Sequence, residues 1–152
     1  MRLCVQRVAH ASVSVAGEVK GKIGPGLLVL VGIAPTDHRA ILEKMMDKCL
    51  HLRIFSDENG KINKSVFDIG GSVLLVSQFT LYADSRHGNR PGFTEAAAPS
   101  LASPMFDQCV DYCRKVGIET QCGVFGADMQ VDLLNDGPFT IWLDSAEICP
   151  KL

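Results

Sequence analysis

Val73, Leu74, Leu75 and Val76 constrain the fold more than any other segment, because successive side chains of an extended strand point to opposite faces. A strand that is apolar on both faces reads as one covered on two sides. It is the expected central strand, and the run continues into SQFTLYA at residue 83. The opening 33 residues alternate in short runs broken by Gly17, Gly21, Gly24, Pro25 and Gly26 and end in LLVLVGI, the pattern of a meander of three or four strands. Leu42, Met45, Met46, Cys49 and Leu50 recur at helical spacing, which predicts an amphipathic helix capped by Thr36 or Asp37. LRIF at 52–55 fits a strand, and SDENGKINKS an exposed loop turning at Asn59-Gly60.

A second helix is expected from Ser103, with Pro104 at its first position, a stripe of Phe106, Cys109, Val110 and Cys113, basic Arg114 and Lys115 in its last turn, and Gly117 beyond. Alternation returns from about 119 to 144 as MQVDLL and FTIWLD, two further strands separated by NDGP. No repeat, low-complexity segment or linker interrupts the chain. The sequence therefore predicts one α+β domain over residues 1–152, with a curved, mostly antiparallel sheet and two or three packed helices.

Composition excludes several classes. No apolar run approaches the roughly 18 residues of a spanning helix, and MRLCVQRVAH lacks the apolar core of a signal peptide, so a soluble, untargeted, cytoplasmic protein is expected. The cysteines at 4, 49, 109, 113, 122 and 149 form no CxxC pair and no ligand cluster with histidine. Free thiols in a reducing compartment are expected, with no metal and no cofactor. A formal net charge of -2 gives no global attraction to nucleic acid, so any RNA contact must use a local patch.

Some residues invite a chemical reading beside a plain one. In the strand expected over 73–83, one face carries Leu74, Val76, Gln78, Thr80 and Tyr82, and its change from apolar to polar fits either emergence into solvent or a pocket wall. At NDGP the local signal is a hairpin, yet proline after Gly137 disfavours the usual two-residue turn, and a glycine there lets another chain or a ligand approach the backbone closely. Arg7 shares a strand face with Leu3 and Val5, so if that face is buried the guanidinium needs carboxylate or carbonyl acceptors. Arg86, His87, Asn89 and Arg90 form a small basic cluster suited to phosphate contact or simply to solvent. No GxSxG, HExxH, GxxxxGK[ST] or GxGxxG motif is present, and the four histidines are scattered, which argues against a triad or metal mechanism.

SQFTLYAD at 77–84 and NDGPFT at 135–140, supported by VQRV at 5–8, GNRP at 88–91 and FGADMQV at 125–131, together resemble the D-aminoacyl-tRNA deacylase family over nearly the whole chain. The resemblance implies a partly barrel-like sheet and a homodimer with a cross-subunit active site. The implied activity is hydrolysis of the ester joining a D-amino acid, or glycine mischarged on tRNA-Ala, to the 3′ terminal adenosine of tRNA. It further implies a cis peptide at Gly137-Pro138 that reaches the partner's site as a main-chain chiral filter, Arg7 holding that segment, and Met129 near the pocket. The catalytic environment is expected at Ser77, Gln78, Phe79 and Thr80, through backbone amides and the ribose 2′-hydroxyl; Thr80 as nucleophile would need a base that the sequence does not locate. A noncatalytic nucleic-acid-binding protein of the same fold is the alternative. Phe139 stands where the family more often has a smaller β-branched residue, Gly92 where serine is common, and CPKL extends the C-terminus.

Overall fold

The computed structural model describes residues 1–152. Its spine is β1 (Arg2–Val15), which pairs antiparallel with β2 (Glu18–Ile23) and β3 (Gly26–Gly32) along one edge and with β8 (Met129–Asp144) along the other. Beyond β3 the sheet continues in parallel through β6 (Ser72–Ser77) to β7 (Glu119–Cys122). The sheet is therefore mixed, antiparallel around β1 and parallel across β3, β6 and β7. The parallel steps follow from crossovers that carry α1 (Arg39–Leu50) and α2 (Pro99–Lys115). A small hairpin, β4 (Phe55–Ser56) and β5 (Ile62–Lys64), and a short α3 (Ser145–Ile148) complete the chain.

Two-sided burial of β6 has a direct structural cause. Val73 and Leu75 face the larger core with Leu27, Val29 and Val31 of β3 and the buried stripes of α1 and α2. Leu74 and Val76 face a second cluster with Leu28, Val8, Ala11, Val13 and Ile23. Helices cover one side, and the sheet curls over the other until it nearly closes into a barrel. At the closure β2 meets β6 and β7 so tightly that a Cβ on Gly21 would lie 3.0 Å from the Cys122 carbonyl oxygen and 3.1 Å from Leu74 Cδ1.

Gly26, at the start of β3, has even less room: a Cβ there would sit 1.8 Å from the Ser72 carbonyl oxygen. That atom is backbone and cannot rotate away. Gly26→Ala is expected to lower unfolding free energy by about 3 kcal/mol, at the upper end of ordinary overpacking, read as a lower urea midpoint at unchanged slope.

Several elements differ from the sequence-based expectation. Capping of α1 falls to His38, whose side chain makes no cap bond. Asp37 instead accepts the Met1 amine at 2.7 Å and the Ala34 amide at 2.8 Å, so a buried carboxylate is fully occupied. α2 begins at Pro99, leaving Pro104 inside the helix; both Pro104 and Ser100, whose carbonyl loses its partner, are exposed, so water can replace the missing bond. LRIF contributes only Phe55 to a strand, and the loop after it is the β4–β5 hairpin, with Gly60 at φ +74° in its turn.

All six cysteines are free thiols. Cys49, Cys109 and Cys113 are buried among α1 and α2, where Cys113 Sγ lies 3.8 Å from Met46 Sδ and burial pushes the Cys113 thiol up to about 12. These thiols stay protonated and act as small apolar side chains.

Candidate active site

β6 stops at Ser77, the last residue paired with β3, and does not run on to residue 83. The Gln78 amide takes the Val31 carbonyl at 2.8 Å, after which β3 ends at Gly32 and offers no further ladder. Phe79–Tyr82 then form one tight 3-10 turn. Gly32 makes room for it, since a Cβ there would lie 3.0 Å from Leu81 Cβ and 3.2 Å from the Gln78 carbonyl oxygen. The polar face expected from alternation of Gln78, Thr80 and Tyr82 is therefore replaced by a turn, in which Tyr82 is buried and Gln78 Nε2 donates to Thr80 Oγ1.

A cavity of about 590 Å³ opens beside this turn. Val31, Val76, Ser77, Gln78 and Phe79 form one wall, Phe93 and Ala96–Pro99 a second, and Phe125–Ala127 with Met129 and Val131 a third. Phe79 and Phe93 meet edge to face at 5.0 Å between centroids, and both are exposed. As the first two residues of a helical turn, Phe79 and Thr80 have amides that no carbonyl of that turn can accept, and neither donates to any other protein acceptor. The Phe79 donor stands at the wall of a mostly apolar pocket that Ser77 and Gln78 also line, and the Thr80 donor lies beside it on the same turn.

The NDGP segment is not a hairpin. MQVDLL and FTIWLD belong to one strand, β8, whose register against β1 passes from Val8–Asn135 to Gln6–Thr140. Four residues, Asp136 to Phe139, thus stand opposite Arg7 alone and bulge outward. Asn135 braces the bulge by accepting the Phe139 amide at 2.7 Å and donating to Thr140 Oγ1 at 3.0 Å. Arg7 fills its base. Its side chain is 13% exposed, its Nε donates to the Asp136 carbonyl at 2.8 Å, its Nη1 to the Ile54 carbonyl at 2.6 Å, and its guanidinium lies 4.7 Å from the Phe139 ring centroid. Gly137 and Pro138, joined by a cis peptide, are exposed at the crest.

Within one chain the expected site residues fall into two groups. Ser77, Gln78, Phe79 and Met129 line the cavity, with Thr80 beside it on the same turn. Arg7, Gly137 and Pro138 form the bulge and do not line the cavity. Gly137 is eight residues along β8 from Met129, roughly 25 Å of extended strand.

The basic loop is partly self-neutralised. Arg86 clasps Asp84 at 2.8 Å through both Nε and Nη2, and that hydrogen bonding holds the Asp84 carboxyl at about 2, while His87 and Arg90 stay exposed. Residues missed by sequence reasoning are Phe93, Ala96–Pro99 and Phe125, which long-range topology brings to the pocket. Ala96–Pro99 carry one sequence signal, the small-residue run EAAAP ahead of a helix, and Phe125 opens the FGADMQV segment that supports the family resemblance.

A curled mixed sheet with helices on one side, an apolar pocket edged by free backbone donors and a proline-containing bulge on its longest edge strand define a class of small pocket-bearing α+β proteins. The family described as D-Tyr-tRNA(Tyr) deacylase matches residues 4–144, and the chain belongs to that family. A D-aminoacyl-tRNA deacylase of Herpetosiphon aurantiacus is 56% identical over 147 residues, covering 97% of this chain and 96% of the relative. Among solved structures, one titled c-Myc DNA Unwinding Element Binding Protein superposes with a TM-score of 0.91 at 44% identity, covering 95% of this chain and 99% of that one. Another, titled as a probable eukaryotic D-amino acid tRNA deacylase, matches at TM-score 0.80 and 17% identity over 93% of this chain and 97% of its own, a likeness of fold.

Proposed function

We propose that this protein hydrolyses the ester between a D-amino acid and the 3′ terminal adenosine of tRNA, releasing free tRNA. The observation that carries the reading is the pair of unpartnered amides at Phe79, on the pocket wall, and at Thr80, next to it on the same turn. An aminoacyl ester is already activated, so holding it in place and stabilising the developing oxyanion with two backbone donors accounts for catalysis without a side-chain base. The ribose 2′-hydroxyl of the substrate then assists the attacking water.

Selectivity in this reading belongs to the bulge of a second copy. β8 pairs only with β1 and leaves Leu134 and Trp142 about half exposed along a 16-residue edge. Such an edge calls for cover. A homodimer that covers it carries Gly137 and Pro138 of one copy to the pocket of the other. Rigid main-chain carbonyls there hold the α-amino group, and an L side chain is rejected by steric clash. Glycine, with no side chain, passes the filter, which accounts for glycine mischarged on tRNA-Ala as a substrate.

The deciding measurement is release of D-tyrosine against L-tyrosine from charged tRNA by the purified protein. D-tyrosine is expected to leave faster, and equal rates would sink the chiral filter. A further prediction concerns Thr80, whose hydroxyl already receives Gln78 Nε2. Thr80→Ala is expected to keep kcat within about tenfold of the parent, because its amide remains; near-complete loss with an intact fold would make Thr80 a nucleophile. The noncatalytic alternative draws on the name of the 44%-identical structure. It predicts tight, salt-sensitive binding of uncharged nucleic acid with no ester turnover.

A further inference from the structure

Arg2 is the middle member of a row of three, opposite Gly32 of β3 and Asp144 of β8. Directly opposed residues share a sheet face, and glycine leaves its place on that face empty. The 79–82 turn occupies the space, with Leu81 Cβ 3.0 Å and Tyr82 Cδ2 3.3 Å from where a Gly32 Cβ would be. Across the gap Arg2 Nη1 donates to the Leu81 carbonyl at 2.9 Å, while its Nε donates to Asp144 Oδ2 at 3.0 Å. Its guanidinium stands 4.4 Å from the Tyr82 ring centroid and 5.8 Å from that of Trp142. Asp144 is itself fixed, because its other oxygen accepts the Ala146 amide at 3.0 Å.

These contacts hold the far end of the turn. Its near end is tied by the Gln78 amide to Val31, and the Leu81 amide closes back on the Gln78 carbonyl at 3.3 Å. The Phe79 and Thr80 amides lie between the two anchors. An oxyanion donor must keep its direction to within a fraction of an ångström, and a planar guanidinium with two fixed acceptors and an aromatic face beneath it supplies such rigidity where a single point charge does not.

We propose that Arg2 is a positioning residue of the deacylation site, clamping the Leu81 carbonyl so that the Phe79 and Thr80 amides stay aimed into the pocket; this rests on the reading that those amides receive the oxyanion. Arg2 touches no substrate. Its loss acts on the chemical step and spares both binding and chiral choice, since the apolar walls and the Gly137-Pro138 crest are made by other residues.

The test is steady-state kinetics of the full-length Arg2→Ala protein on D-tyrosyl-tRNA and L-tyrosyl-tRNA. Expected are a kcat lower by about 10- to 30-fold, a KM within about twofold of the parent, an unchanged preference for the D ester and partial recovery of kcat on adding millimolar guanidinium. Arg2→Lys, which keeps one donor but not the fork, is expected to fall between the two and carries the same readout if the alanine variant does not fold. Unchanged kcat in both variants overturns the clamp, as does a loss that follows a lowered unfolding midpoint and shows no guanidinium recovery. A parallel protein with an ester in place of the Thr80 amide separates the two ideas. If that replacement lowers kcat while Arg2→Ala does not, the clamp fails and the oxyanion reading stands; if it leaves kcat unchanged, the oxyanion reading fails and the clamp with it.

Discussion

Gly137→Ala is expected to lower kcat/KM on D-tyrosyl-tRNA by about 100-fold, roughly 2.7 kcal/mol of transition-state stabilisation. Gly137 has φ +143°, a conformation that L residues rarely adopt. A Cβ would lie 3.0 Å from the Phe139 amide nitrogen, 3.1 Å from Arg7 Nη2 and 3.2 Å from Phe139 Cβ. Two of those atoms belong to the braced bulge, and the third is held between carbonyls, so the crest itself must shift. Stability is expected to change little, because the crest is exposed and contributes nothing to either apolar cluster. On the proposed cross-subunit arrangement activity falls through the partner's pocket, which a mixing experiment can show. Ala96→Trp fills the pocket of one chain and leaves its crest intact. Refolding that variant with Gly137→Ala is expected to restore about a quarter of parental activity, since half of randomly assembled dimers are mixed and each has one sound site. No recovery on mixing would place pocket and crest of each site in the same chain.

The contrast between what could and could not be read from the sequence is physical. Val73–Val76 signals two-sided burial because the side-chain period of a strand is local, and the α1 stripe from Leu42 to Leu50 is legible for the same reason. The end of β6 is not local. It depends on where β3 stops and on the room left by Gly32, some 45 residues earlier in the chain, so alternation carries the expected strand too far. NDGP is ambiguous for a different reason: Asp-Gly between alternating runs is a strong hairpin signal that Pro138 already weakens, and because the 14-residue β1 pairs with both halves at once the segment is a bulge in one long strand. Ser77 to Phe79 and Met129 meet at one cavity, a proximity that spacing cannot reveal. Arg2 carried no signal, because a charged residue at the start of a strand is ordinarily a solvated one.

Arg7→Ala is expected to weaken both fold and selectivity, and the two losses have separate causes. For the fold, the side chain joins three parts of the molecule: β1, the carbonyl of Ile54 before the β4–β5 hairpin, and the carbonyl of Asp136 in the bulge. Hydrogen bonds from a charged donor are worth about 1.5–3 kcal/mol each, but Asp136 is exposed and its carbonyl can be hydrated, so a total near 2 kcal/mol is expected from chemical denaturation. The additional 3.9 Å approach to the exposed Asp136 carboxylate adds little to that sum. For selectivity, removing the guanidinium frees the base of a four-residue bulge whose remaining braces, both from Asn135, tie its two flanks together and leave that base unfilled. A filter that works by rejection needs stiffness more than affinity. The ratio of D- to L-tyrosyl-tRNA turnover is therefore expected to shrink by about tenfold, with part of the change appearing as faster L-ester hydrolysis. Arg7→Lys should not restore it, because an ammonium cannot span two carbonyls while stacking on Phe139. A variant that loses stability yet keeps the parental D-to-L ratio would show that Arg7 supports the fold alone and that the crest holds its shape without it.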